Sequence, residues 1–346
     1  MGPFLRNAWY MAAWSEELGE GLLARRIAGR ALVLYRGEDG LPAALDDRCP
    51  HRFAPLSRGR RQGDAIACGY HGLVFDRSGA CIGNPFSSRI PPRAAVRAWP
   101  LHEQDGIVWL WRGAPEAADP ALVPDFSMLA ESPFSRTLHG YVEMNAGYEF
   151  GADNLMDLSH IEFVHTGSFA GAGVIFAGRH EVVKEGEALR SNWWMPGVKA
   201  PGHTTGIYPP EMITDHWLDM RWNAPASMHL EIGATPTGQP REGGVIVQQA
   251  HILTPQTEAT THYFWATTVG TPPGAPDMTE TVRQLMSRAF DVEDKPMIEA
   301  AYANLEGEDF ADQPPVSIGV DRGGILARRR IQALLERESA LGVAAQ

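Results

Sequence analysis

Two short clusters in the first quarter of the chain each contain one cysteine and one histidine. The first has the order Cys49-x-His51 and the second has the order Cys68-x-x-His71. Two thiols with two imidazoles can hold a structural zinc ion, or a [2Fe–2S] cluster in which one iron takes two thiolates and the other two imidazoles. Zinc fingers usually pair cysteine with cysteine and histidine with histidine. Here each loop supplies one ligand of each kind, which favours the iron–sulfur cluster.

The residues around both clusters resemble the Rieske proteins, with CPHRFAPLS in the first loop and CGYHGLVFD in the second. The resemblance implies that Cys49, His51, Cys68 and His71 hold a Rieske [2Fe–2S] cluster. Rieske proteins of respiratory complexes have an additional cysteine in each loop, and the two are joined in a disulfide. Neither loop has that cysteine here, and we expect the third cysteine, Cys81, to be a small buried residue.

A second group of polar residues lies in the stretch GADNLMDLSHIEFVHTG. Asn154, Asp157 and His160 have the spacing of residues that share one face of a helix. His165 can join them only if the helix ends or bulges after Phe163. Two histidines beside a carboxylate are the ligands of a mononuclear non-haem Fe(II) site, which leaves positions open for O2 and substrate. The alternative is a surface helix end whose histidines only cap or pair.

The spacing Asp-x3-Asp-x2-His-x4-His resembles the mononuclear iron motif of the Rieske oxygenases, and this implies that His160 and His165 are iron ligands. The third ligand should be a carboxylate distant in sequence, and SRAFDVEDKPMIEAAY is the segment that offers one. By chemistry alone, four residues there remain open: Asp291, Glu293, Asp294 and Glu299. The resemblance to the family's EDK segment indicates Asp294.

Asp157 is a candidate for orienting a ligand, because its carboxylate could accept the ring N–H of His160. In the resembled family the equivalent aspartate also accepts a hydrogen bond from a cluster histidine of the neighbouring subunit. That implies His71 as the second partner here, and a ring-shaped homotrimer with clusters arranged head to tail. For Asn154 two roles stay open: a place near the iron without binding it, or a structural place on the helix face.

The pattern of segments predicts an α+β protein of two domains. Residues 1–115 contain short strand-like runs such as RALVLYRG and GIVWLWRG, and we expect them to form an N-terminal antiparallel β domain that carries the Rieske cluster. Residues 116–346 should form the catalytic domain with the mononuclear iron. In it, helices near residues 146–166 and 279–305, and a last helix after Gly323-Gly324, should flank a central antiparallel sheet.

The overall charge and hydrophobicity exclude some classes of partner. The chain has 346 residues and a net charge of −12, which argues against nucleic acid or an anionic membrane as partner. It has no long apolar run and no signal-peptide pattern at its start. We therefore expect a cytoplasmic protein with reduced cysteines.

Further segments, among them RNAWYMAAWSEEL and DRGGILARRRI, are similar to the vanillate and dicamba O-demethylase branch of the family. The resemblance implies an oxygenase component that uses O2 to convert a methoxylated aromatic acid to a phenol and formaldehyde. Its electrons would come from NADH or NADPH through a reductase with flavin and a [2Fe–2S] centre. Ring hydroxylation, N-demethylation and sulfoxidation need the same metals and stay open. So does an electron-transfer protein with a non-catalytic second domain.

A methoxybenzoate has an apolar ring and one carboxylate, so its pocket should be mostly apolar with a few polar groups. His251, in QQAHILTP, is expected on a strand of the catalytic sheet and matches a substrate-contacting histidine of the resembled branch. The alternative for His251 is a hydrogen-bonded core histidine. His229, in SMHLEIG, is a second candidate for the same role.

Overall fold

The computed structural model describes residues 4–132, 135–169, 171, 173–270, 277–308, 313 and 315–342. The chain divides into two compact units. The first comprises Met1–Val123, Thr254–Glu258 and Leu334–Gln346, and the second comprises Pro124–Leu253 and Ala259–Ala333. The main division therefore falls at Val123, and two later segments of the chain join the first unit.

Three antiparallel β-sheets form the first unit. Their strand orders are β1-β10-β9, β2-β3-β4 and β5-β6-β7-β8. The strands are β1 Trp9–Trp14, β2 Leu23–Ile27, β3 Arg30–Arg36, β4 Pro42–Asp46, β5 Arg60–Gln62, β6 Ala65–Ala67, β7 Val74–Phe75, β8 Cys81–Gly83, β9 Leu101–Gln104 and β10 Ile107–Trp111. The prediction of a small antiparallel β domain is confirmed.

The core of the first unit extends into the two cysteine-containing loops. Val33, Tyr35 and Phe75 are fully buried, and Cys49 and Cys68 belong to the same hydrophobic cluster. The two loops follow β4 and β6, so strands of two different sheets fix where each loop begins. Packing of the cysteines in the core therefore sets the position of both sulfur atoms.

One seven-stranded antiparallel sheet forms the centre of the second unit, with strand order β11-β17-β16-β15-β14-β13-β12. The strands are β11 Ser135–Met144, β12 Arg179–Glu185, β13 Ala188–Lys199, β14 Ile213–Asn223, β15 Ser227–Pro236, β16 Val245–Thr257 and β17 Thr260–Gly270. Aromatic and β-branched residues are frequent in these strands, as expected for a pleated, half-buried surface. The central antiparallel sheet predicted from the sequence is confirmed.

Helical segments accompany this sheet, and the last of them continues past Ala333 into the part of the chain that belongs to the first unit. The α-helices are α1 Tyr148–Met156, α2 Ile161–Val164, α3 Thr279–Ser287, α4 Lys295–Ala303 and α5 Arg322–Ala340. A 3-10 turn, Leu158–His160, lies between α1 and α2, and a π-helical turn, Arg288–Asp294, joins α3 to α4. The α+β fold class is therefore confirmed. In the described part of the chain, no helix is long and apolar enough to cross a membrane.

The last helix differs in one respect from the expectation. It begins at Arg322 and includes Gly323 and Gly324, which were expected to precede it. A Cβ on Gly323 would lie 2.9 Å from Met156 O, and one on Gly324 would lie 2.5 Å from Asp153 Oδ1. The two glycines therefore lie inside α5 and let it approach α1 closely. They do not form a turn that precedes the helix.

Candidate metal centres

The two loops with the cysteine and histidine pairs repeat one backbone pattern. In each loop the cysteine N–H donates to the carbonyl five residues later, and the N–H four residues later donates back to the cysteine carbonyl, over 2.8–2.9 Å. That fourth residue is Phe53 after Cys49 and Gly72 after Cys68, and their φ angles are +60° and +74°. Each loop is thus a tight turn that presents its cysteine sulfur and histidine ring together.

The four predicted cluster ligands lie together at these turns. The Cys49 and Cys68 thiols are close enough that Cys68 helps to raise the pKa of Cys49, and the ring centroids of His51 and His71 are 4.4 Å apart. The thiols are 1% and 2% exposed, whereas His51 is exposed. Burial raises the pKa of the Cys49 thiol to about 11, while backbone N–H groups of His51 and Arg52 act on it in the opposite direction.

This donor set fits a mixed-ligand [2Fe–2S] cluster. Buried sulfurs with N–H donors around them, and imidazoles on the solvent side, are what such a cluster requires. Cys81 lies apart from the donor set and its thiol donates to Gly83 O over 3.4 Å. All three cysteines are free thiols, so the extra disulfide of respiratory Rieske proteins is absent from these loops.

A second donor set consists of His160, His165 and Asp294, with one possible ligand atom of each within 4.8 Å of the others. Asp294 Oδ1 lies 3.6 Å from His160 Nε2, and Asp294 Oδ2 lies 3.3 Å from His165 Nε2. His160 Nδ1 is 2.5 Å from the Asp157 carbonyl oxygen, and His165 Nδ1 is 2.9 Å from Glu293 Oε2. Because both Nδ1 atoms are engaged, both Nε2 atoms remain for a metal, which is the arrangement of metal-binding histidines in general.

Burial and charge act differently on the two histidines. Burial lowers the pKa of His160, and the attraction of Asp294 offsets only part of that effect. Burial also lowers the pKa of His165, but Asp294 and Glu293 more than offset it, so the net shift is upward. Two carboxylates therefore stabilise a positive charge at His165, and a divalent cation at Nε2 would supply that charge in place of a proton.

Asn154 lies beside this donor set. Its Nδ2 donates to Asp294 Oδ1 over 3.4 Å. Its Oδ1 is buried and has no hydrogen-bond partner in the described part of the chain. Buried polar atoms are normally hydrogen-bonded, so this oxygen needs a donor that a water held at a metal would provide. The residues present therefore fit a mononuclear metal ion.

The helix that carries this donor set is interrupted at Asp157. Helix α1 ends at Met156, and Asp157 has φ −114° and ψ 86°. The prediction that Asn154, Asp157 and His160 share one continuous helical face is therefore wrong. The Asp157 carboxylate caps the next turn by accepting from Ser159 N and Oγ at 3.0 and 2.6 Å.

The interruption changes which atom orients His160. The backbone carbonyl of Asp157 contacts the ring, whereas we expected the carboxylate to do so. The short helix α2 then ends at Val164, and His165 follows with φ −91° and ψ 32°. The helix end that His165 needs in order to face His160 is thus present, and the two ring centroids are 5.2 Å apart.

The four carboxylates that the sequence left open have different partners. Asp294 faces both histidine Nε2 atoms, and Glu293 faces His165 Nδ1. Asp291 accepts from the hydroxyl of the serine four residues earlier at 2.6 Å, and Glu299 accepts from the backbone N–H of residue 145 at 2.7 Å. Glu293 is therefore a hydrogen-bond partner of His165, a role that sequence reasoning missed although it named the residue as a possible ligand.

His251 and His229 lie on opposite faces of the seven-stranded sheet. On β15, Met228 is paired with His251, whereas the next residue, His229, is paired with Ala250. Successive side chains of a strand point to opposite faces, so the two histidines cannot serve one substrate. The ring of His251 lies 5.5 Å from that of Phe290 in the π-helical turn. His229 therefore stays a candidate for the polar role only in place of His251, and not beside it.

Both ring nitrogens of His251 have partners within the chain. Nδ1 is 2.7 Å from Tyr263 Oη, and Nε2 is 3.2 Å from Gln249 Oε1. His251 is 2% exposed, and burial lowers its pKa to about 3. Burial also raises the pKa of Tyr263. The network is therefore uncharged, and Gln249 and Tyr263 belong to it although no sequence motif indicated them.

Comparisons with known proteins agree with this geometry. Residues 8–100 match the Rieske [2Fe-2S] domain, and residues 144–337 match the vanillate O-demethylase oxygenase C-terminal domain. The oxygenase component of dicamba O-demethylase from Stenotrophomonas maltophilia is 36% identical over 97% of this chain and 99% of its own length. The oxygenase component of chloroacetanilide N-alkylformylase from Rhizorhabdus wittichii is 35% identical, with 97% of each covered.

A solved structure of dicamba monooxygenase bound to 3,6-dichlorosalicylic acid superposes with a TM-score of 0.89 at 36% identity, covering 97% of this chain and 99% of that one. Both the sequence families and the fold thus cover nearly all of the chain. The chain belongs to the Rieske non-haem iron oxygenases, O2-dependent oxidoreductases with a Rieske [2Fe–2S] cluster and a mononuclear iron, in the branch of the vanillate and dicamba O-demethylase oxygenase components.

Proposed function

We propose that this oxygenase removes the methyl group of a methoxylated aromatic acid, giving a phenol and formaldehyde. The observation that carries the proposal is the buried donor set of His160, His165 and Asp294, with ligand atoms within 4.8 Å of one another. Two imidazoles and one carboxylate would leave the other positions of an iron open for O2 and substrate. Cys49, Cys68, His51 and His71 would hold the cluster in the first unit.

When both metals are bound, the cluster supplies single electrons and the mononuclear iron supplies the means of activating O2. The side chains around the mononuclear metal site, in the second unit, have other tasks. Asp294 and the two Nε2 atoms would hold the metal in a fixed position, because Asp157 O and Glu293 fix the other ring nitrogens of His160 and His165. Asn154 Oδ1 would accept a hydrogen bond from a water held at the metal.

The face of the sheet that carries His251 suits an aromatic substrate. Around His251 this face carries four buried apolar residues, with Gln249 as a polar neighbour; the apolar residues are Met220, Trp222, Met228 and Leu230. A mostly apolar wall with few polar groups is usual for a small-molecule site. We propose that His251, held by Tyr263, fixes the polar end of the substrate and so directs its methyl group towards the iron.

The partners are proposed by analogy with the resembled family. A reductase with flavin and a [2Fe–2S] centre would deliver electrons from NADH or NADPH, and we propose that the protein acts in the cytoplasm. A homotrimer would bring Asp157 of one subunit to His71 of the next. The remaining acceptor capacity of the Asp157 carboxylate beyond its bonds to Ser159 is compatible with that bridge.

The direct test is formaldehyde release. The holoprotein with a surrogate reductase should release formaldehyde and the corresponding phenol from a methoxybenzoate, in amounts that match the O2 consumed. A His165→Ala variant, with its Rieske cluster intact, is the matched control and should release none. If no methoxylated aromatic acid yields formaldehyde with the intact enzyme, the O-demethylase proposal fails.

N-dealkylation is the second candidate reaction, because the chloroacetanilide relative is as similar to this chain as the dicamba relative is. Both reactions would insert oxygen at an alkyl carbon next to a heteroatom, so the metal sites do not distinguish them. Parallel assays with a methoxybenzoate and a neutral N-alkyl anilide would do so. Turnover of the anilide alone would favour this second reaction.

A further inference from the structure

We propose that Glu293 is a positioning residue for the mononuclear metal, acting through His165; the inference rests on the proposed function of the donor set. The imidazole of His165 lies between two successive carboxylates of the π-helical turn. Glu293 Oε2 is 2.9 Å from Nδ1, and Asp294 Oδ2 is 3.3 Å from Nε2. One carboxylate thus faces the metal-binding edge of the ring, and the other faces the opposite edge.

Glu293 is itself held by two further groups. Ser168 Oγ donates to its Oε2 over 2.5 Å, and Arg288 Nε donates to its Oε1 over 3.0 Å. Its side chain is only 9% exposed and has three hydrogen-bond partners, one of them the Arg288 guanidinium, so the Glu293 carboxylate is held in a fixed place.

These bonds connect the two segments that supply the metal ligands. His165 and Ser168 belong to the segment after α2, whereas Asp294 and Arg288 belong to the π-helical turn. The loop residue Gly167 leaves the room that Arg288 needs, because a Cβ there would lie 2.2 Å from the guanidinium. Glu293 therefore sets the distance between the loop and the turn at the point where both provide a ligand.

An acceptor at Nδ1 has two consequences for a metal at Nε2. It fixes the tautomer in which Nδ1 carries the proton and Nε2 presents its lone pair, and its negative charge makes that lone pair a stronger donor. Loss of such a partner typically weakens metal binding by about 10–100-fold. Glu293 thus contributes to metal affinity although Asp294 faces the site.

Titration with Co²⁺ tests this role without relying on turnover. The full chain, with its Rieske cluster in place and its mononuclear iron removed, would be titrated while the Co²⁺ absorption bands are followed. Glu293→Ala should weaken Co²⁺ binding by about 10–100-fold and shift the bands, because the His165 ring is no longer fixed. Glu293→Gln keeps an acceptor oxygen without the charge, so its Co²⁺ affinity should lie between those of the wild type and Glu293→Ala.

Two controls separate positioning from general damage. Glu299→Gln changes a carboxylate of the neighbouring helix α4 that bonds to a backbone N–H, so Co²⁺ binding should equal wild type. The Arg288 side chain is 57% exposed. Arg288→Gln should reduce the Co²⁺ affinity less than Glu293→Ala does, because it removes one partner of Glu293 and leaves the contact between Glu293 and His165.

Three results would overturn the inference. If Glu293→Ala and Glu293→Gln bind Co²⁺ with wild-type affinity and wild-type bands, Glu293 does not position His165. If Glu299→Gln loses as much affinity as Glu293→Ala, the effect is not specific to the residue that contacts His165. A wild-type chain that binds no Co²⁺ would overturn the metal site itself, whereas normal binding without formaldehyde release would overturn only the proposed reaction.

Discussion

Replacing His251 with glutamine should make the second unit less sensitive to acid. Burial lowers the pKa of His251 to about 3 from its ordinary 6.5. Between those two values the unfolded chain takes up a proton at this residue and the folded chain does not. The contribution of neutral His251 to stability is therefore fully present above about pH 6.5 and falls as the pH drops towards 3.

The size of the effect follows from this difference in proton uptake. At pH 5 the solution lies about 1.5 pH units below the ordinary pKa of histidine in the unfolded chain, and at about 1.36 kcal/mol per pH unit this lowers the free energy of unfolding by about 2 kcal/mol. The result hardly changes for any folded-state value below about 4, because His251 in the folded protein is then almost wholly neutral at pH 5.

Denaturant unfolding followed by tryptophan fluorescence at about pH 8 and about pH 5 would measure the effect. When the pH is lowered from about 8 to about 5, the free energy of unfolding should fall by about 2 kcal/mol more in the wild type than in His251→Gln. Tyr263→Phe removes the same hydrogen bond but leaves the imidazole, so it should keep the wild-type acid sensitivity. Equal losses in wild type and His251→Gln would refute the reasoning.

Three further predictions concern the metal sites. Cys68→Ser should abolish the visible absorption of the cluster while the mononuclear iron stays bound, whereas His165→Ala should do the reverse; iron analysis of both variants checks this. Asp157→Asn should retain both metals but suppress turnover, because the amide loses the charge and one acceptor; full activity would argue against a bridging carboxylate. Gly69→Ala should lower cluster retention on heating, because its Cβ would lie 2.5 Å from Arg58 O; an unchanged spectrum after heating would contradict this.

The local ligand pairs could be predicted because each lies in a short segment whose spacing limits its geometry. The cysteine and histidine pairs are two or three residues apart, so a tight turn is enough to bring them together. Asp294 is more than a hundred residues from His165, and only resemblance could choose it. The structure shows why chemistry alone could not choose the third ligand: Glu293 and Asp294 both contact the ring of His165, at opposite edges.

Two features of the site have physical causes that the sequence does not reveal. The spacing of Asn154, Asp157 and His160 suits an α-helix, but the Asp157 carboxylate caps the next turn and ends the helix instead. The sequence offered His229 as a second candidate for the role of His251, and the structure places the two on opposite faces of the sheet. Which face each residue occupies depends on the strand register, and that is fixed only by the pairing of β15 with β16.

Phe53 occupies a left-handed backbone position, at φ +60°, where its counterpart in the other loop is glycine. For a residue with a side chain this conformation costs about 1–2 kcal/mol, and Gly72 shows that the turn forms without it. The ring is 61% exposed and stacks on the Arg48 guanidinium 4.0 Å away, so core packing does not repay the strain. A Phe53→Gly protein should thus have the more relaxed backbone, and what it would lose is an aromatic surface next to the cluster ligands.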